Sequence, residues 1–93
     1  MKLVINSSFG GFSLSPACAA KLGTDTHPLW DGDEIRTNPE LIKLVEEDSY
    51  AASGECASLM VVNVPDKATD YMITEYDGSE SVIYVLDGKM HYA

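Results

Sequence analysis

Residues 71–92, YMITEYDGSESVIYVLDGKMHY, decide the fold. Apolar and polar residues alternate from Tyr71 to Tyr76 and again from Ser81 to Leu86, the period of a strand with one buried face. Asp77-Gly78-Ser79-Glu80 joins the two runs, which predicts a hairpin. Asp87-Gly88 supplies a second tight turn into a short last strand, Met90 to Tyr92. Upstream, Ala57 to Val64 is an apolar run closed by Pro65-Asp66, and Lys2 to Asn6 is a short buried strand ended by Asn6-Ser7-Ser8.

Between these strands lie two helix signals. Ser15-Pro16 pairs an N-cap with a proline at the first helical position, and Gly23 is the stop. Asn38-Pro39 opens a second, amphipathic helix, with Thr37 and Glu40 as a competing capping box one residue earlier. Leu41, Leu44, Val45 and Asp48 share its stripe, with Ile42 beside it. His27-Pro28-Leu29-Trp30 is expected to be extended, because the residue before proline avoids the helical region. The expected architecture is a single α+β domain over residues 1–93. It has a mostly antiparallel sheet of about four to five strands and two helices packed on one face.

At 93 residues and 10.1 kDa, surface scaling expects roughly 5,300 Å² exposed when folded. A core of that size holds no private cavity of drug size, so a binding site lies on the surface or is completed by a second subunit. A homo-oligomer is expected for the same reason, with Tyr71, Tyr76 and Tyr84 as contact aromatics. The longest apolar runs are too short to span a bilayer, and Asn6-Ser7-Ser8 interrupts any signal-peptide core. A cytosolic protein is expected.

Six Lys and Arg against fifteen Asp and Glu leave a net charge of −9. That balance disfavours nucleic acid and anionic membrane as partners. Cys18 and Cys56 each sit in an apolar stretch and are expected to be buried thiols. Together with His27 and His91 they lack the paired spacing of a zinc site. Asp31-Gly32-Asp33 departs from a calcium loop after two positions. No cofactor or metal is expected.

The chemistry-bearing motifs of common enzymes do not occur. His27 and His91 have no orienting partner in sequence, and the acids Glu75, Asp77 and Glu80 surround one solvated turn. An enzyme is not expected. The first loop, Phe9-Gly10-Gly11-Phe12-Ser13, is the local candidate for binding. A strand, a Gly-Gly turn and a capped helix start can aim backbone N–H groups at an anion, with Phe9 and Phe12 placed to stack a base. The alternative is a sharp turn with both phenylalanines in the core. Arg36 is the only arginine and the only side chain able to give a phosphate a bidentate contact. Its alternative is a surface residue answering Asp33 and Glu34.

Three blocks carry a family likeness: Met1-Lys2-Leu3-Val4-Ile5-Asn6 leading to Phe9-Gly10-Gly11-Phe12-x-Leu14-Ser15; Arg36-x-x-Pro39-x-Leu41-Ile42 followed by Gly54 to Asp66; and Glu75-Tyr76-Asp77-Gly78-x-Glu80. They resemble a set of small phage and prophage proteins, and through them the phage anti-defence sponge proteins. The resemblance implies a protein that binds a host cyclic nucleotide immune signal, such as cyclic GMP-AMP of cyclic-oligonucleotide (CBASS) defence, without degrading it. It also implies ligand held at subunit contacts. Ser7-Ser8 and a shortened segment from Thr24 to Ile35 depart from the set. For such a ligand, Gly10, Gly11 and Ser13 are the expected donors, Phe9 the stacking ring and Arg36 the phosphate contact, with Phe12 in the core. The alternative function is an acidic protein-binding inhibitor, or nucleic-acid mimic, acting on a host protein.

Overall fold

Strand β1, Lys2–Asn6, pairs antiparallel with β2, Leu59–Asn63, placing Leu3 opposite Val62 and Ile5 opposite Met60. The computed structural model describes the backbone of residues 1–93 and every side chain except those of Trp30 and Asp31. Both faces of the β1–β2 pair are covered, which is why Leu3-Val4-Ile5 is an unbroken apolar run and not an alternation. Val4 and Leu59 pack with Phe12, Leu14, Cys18, Leu41 and Val45 on the helical side. Leu3, Ile5, Val62 and Val64 pack the other way, against Val82 of the hairpin. The chain is an α+β fold in three layers: helices, the β1–β2 pair, then a second sheet.

That second sheet is an antiparallel meander of β3 (Asp70–Tyr76), β4 (Ser79–Leu86) and β5 (Lys89–Tyr92). One sheet of four to five strands was the expectation, and the five strands instead divide into a two-stranded and a three-stranded sheet. The outer edge of β1 is closed by side chains, described below, so no hairpin strand adds there. The β3–β4 turn is the two residues Asp77 (φ 50°) and Gly78 (φ 90°), the left-handed pair that a tight hairpin needs. Ser79 and Glu80 belong to β4.

Helix α1, Pro16–Leu22, follows its signals: the Ser15 hydroxyl accepts from the Cys18 N–H at 3.1 Å, and Gly23 ends it at φ 67°. In α2, Pro39–Glu47, Asn38 is the cap that forms, accepting from the N–H groups of Glu40 and Leu41. Thr37 donates instead to the Glu34 carbonyl. A third, short helix, α3 (Ser49–Ala52), was not expected; Asp48 caps it and so leaves the α2 stripe. The segment after His27 is not extended. Pro28–Asp31 and Asp33–Thr37 are 3₁₀ turns. Proline restrains the residue before it, and His27 does lie at φ −119°, but Pro28 itself has the fixed φ of a first helical position.

Cys18 is buried as expected, whereas Cys56 is exposed on the loop before β2. Its apolar neighbours Ala57 and Leu59 turn inward without it, because the strand begins only at Leu59. Among the described residues no helix is long and apolar enough to cross a membrane.

Candidate functional site

The Gly-Gly loop is a docking point within the chain before it is anything else. A Cβ on Gly10 would stand 1.9 Å from the Cys56 carbonyl oxygen, and one on Gly78 would stand 2.5 Å from the Gly11 nitrogen. Gly10 therefore lets the loop lie against the segment before β2, and Gly78 lets the hairpin turn lie against the loop. Asn6, fully buried, ties the same pieces together. Its amide donates to the carbonyls of Ser8 and Gly78, each at 2.8 Å, and its side-chain oxygen accepts from the Ser58 N–H. Phe12 faces inward at 9% exposure while Phe9 stands out at 72%. Ser13 accepts the Gly54 N–H through its carbonyl, in a contact close enough that a Cβ on Gly54 would strike the Ser13 hydroxyl.

Arg36 lies inside the molecule, 3% exposed, which corrects the alternative that placed it on the surface, although it does answer Asp33. Its guanidinium makes a two-point pair with Glu80, donates to the Val4 carbonyl at 3.1 Å and lies 4.8 Å from the Phe12 ring centre. Glu80 in turn accepts the Asn6 N–H at 2.7 Å. Val4 and Asn6 present these groups on the edge of β1 away from β2, since backbone bonds alternate along an antiparallel ladder and the odd-numbered Met1 and Ser7 bond across to the β2 side. The ion pair thus stands where a neighbouring strand would, offering one donor and one acceptor in the right order. Burial pushes the guanidinium pKa down, but the hydrogen bonds and charge of Glu80, with help from Asp33 at 3.4 Å, more than reverse this and hold it raised.

Directly beside this pair opens a cleft of about 230 Å³ lined by Gly11, Phe12, His27, Leu29, Glu75, Gly78 and Glu80. It brings the glycine loop, the first 3₁₀ turn and the hairpin turn to one place. Among its described lining residues there is no lysine or arginine. His27 stands on an Asp25 turn, its N–H on the carboxylate at 3.1 Å, and that bond holds the Asp25 pKa below its ordinary value. Glu75 accepts the Gly78 N–H across the hairpin turn.

Of the five expected contacts, Gly10, Gly11 and Phe9 sit together at the loop, with Gly11 reaching the cleft wall and Phe9 exposed beyond Gly10. Ser13 turns toward Gly54, and Arg36 lies behind Phe12, neutralised by Glu80. The polar centre that sequence reasoning missed is Asn6 with Glu80. An apolar strand ended by a single Asn, and an acid two residues after an Asp-Gly turn, were the available signals. Comparison of the chain with family models, curated proteins and solved structures returns no match.

Proposed function

We propose that this chain is a non-catalytic binding protein whose acidic exterior docks onto a basic protein surface, in the place that nucleic acid would occupy. The burial of Arg36 against Glu80 is the observation that carries this reading. With its only arginine withdrawn, the cleft beside the glycine loop holds no lysine or arginine among its described lining residues. Every described Asp and Glu other than Glu80 is exposed, so the charge of −9 faces outward. A small anion at Gly11 meets Glu75 and a spent ion pair. A basic surface meets a field that steers it in, and the attraction grows as salt falls.

The test is a competition: labelled duplex DNA bound to each of a panel of basic nucleic-acid-binding proteins, titrated with this chain. Release of DNA from a panel member at micromolar chain, weakened by added salt, supports the reading. Retention of DNA throughout at low salt rejects it. A second reading, sequestration of a cyclic nucleotide as in the sponge proteins, is favoured by the exposed ring of Phe9 beside the cleft. Cyclic GMP-AMP that raises the melting temperature by several degrees, and is recovered intact by chromatography, supports it instead. In that case Phe9→Ala weakens binding by about 1–3 kcal/mol.

A further inference from the structure

We propose that two copies of this chain associate through the outer face of the β3–β4–β5 sheet. The register sorts the meander into two faces. Ile73, Val82 and Tyr84 point to the β1–β2 pair, and Tyr71 shares their side opposite Tyr84. The opposite face carries Met72, Ile83 and Tyr92 in one row across all three strands, Val85 and Met90 in the next, and Tyr76 near the turn. This face is not covered: Met72 is 53% exposed, Met90 66%, and Tyr76 and Tyr92 75% each. Those four residues alone present on the order of 500 Å², the size of the largest and often functional apolar patch on a monomer. With the flanking residues the face approaches the roughly 600–800 Å² per partner of a stable interface.

Two whole-molecule observations agree. The folded chain exposes 5789 Å², above the roughly 5,300 Å² expected of a compact monomer of its mass. Charge then selects the occupant. In a chain of net −9 the face carries one charged residue, Asp70, at its margin. A basic partner finds nothing to pair with here, while a second copy offers a matching neutral apolar face in a two-fold arrangement. The acidic bodies around the two faces repel one another, so salt tightens this contact where it would loosen a contact with a basic partner. The inference stands apart from the proposed function, which concerns the acidic exterior.

Sedimentation equilibrium across micromolar concentrations, in low and high salt, tests it. The expected result is a species of twice 10.1 kDa whose dissociation constant falls as salt is raised. Met72→Lys and Met90→Lys each weaken it by about tenfold or more, with circular dichroism melting as the check on folding. Tyr50→Lys, at a 91% exposed position on the helical side, leaves it unchanged. A monomer throughout the concentration range overturns the proposal. So does a dimer that ignores both methionine substitutions while the variants remain folded, or one that salt dissociates.

Discussion

Removing the guanidinium of Arg36 leaves Glu80, 9% exposed, as a buried carboxylate with no cation. It also leaves the Val4 carbonyl without its donor and the Phe12 ring without its cation. Arg36→Ala is therefore expected to destabilise the fold by about 3–5 kcal/mol, read by urea denaturation. Replacing both partners by apolar residues, Arg36→Met with Glu80→Leu, is expected to cost far less than the sum of the single changes, because neither charge is stranded. Additive losses would show that the two side chains act separately. The sequence announces Arg36 by its rarity, and rarity is a poor guide to place. An arginine and an acid 44 residues apart have no local signal that joins them.

At the scale of elements, turn and cap chemistry was readable because it is local. The caps and turns made by Ser15, Pro16, Gly23, Asn38 and Asp77-Gly78 each close within four residues, and the structure uses them accordingly. The 3₁₀ turns from Pro28 to Thr37 were not readable, since their few internal bonds are selected by packing. Two glycines separate local from tertiary demands. Gly78 and Gly88 both have left-handed backbone, at φ 90° and 75°, but only Gly78 touches the glycine loop. Gly88→Ala is expected to cost about 1–2 kcal/mol for the backbone alone. Gly78→Ala is expected to add about 1–3 kcal/mol as the hairpin is forced off the loop. Thermal melting of both variants decides it: equal losses would mean that the hairpin turn is not docked.

The whole molecule protects one thiol and offers the other. Cys18 lies in the helical core beside Val4 and Leu41, while Cys56 is exposed. Burial pushes the Cys18 thiol above its ordinary value of 9.0, with Lys21 opposing it in part. An acid whose folded pKa is raised stabilises the fold while it remains protonated in both states. Its contribution is present below 9.0 and is lost as pH rises through the folded value. Cys18→Ala is accordingly expected to lose less stability than the native chain above that pH, measured by urea denaturation at paired pH values. Alkylation should mark Cys56 in the native state and Cys18 only on unfolding.

The sequence by itself determined the five strands and the two longer helices of this protein, their order and most of their ends, because alternation, helical stripes, caps and tight turns are set within a few residues. It also determined the acidic balance. Only the tertiary structure decided that the strands form two sheets, that β1 lies between layers and that its edge is closed by Arg36 and Glu80. It alone placed Phe12 behind the glycine loop and the methionine and tyrosine face of the meander outside. The physical reason is the same throughout: an alternating strand tells which residues share a face, and only packing against other layers decides which face is buried.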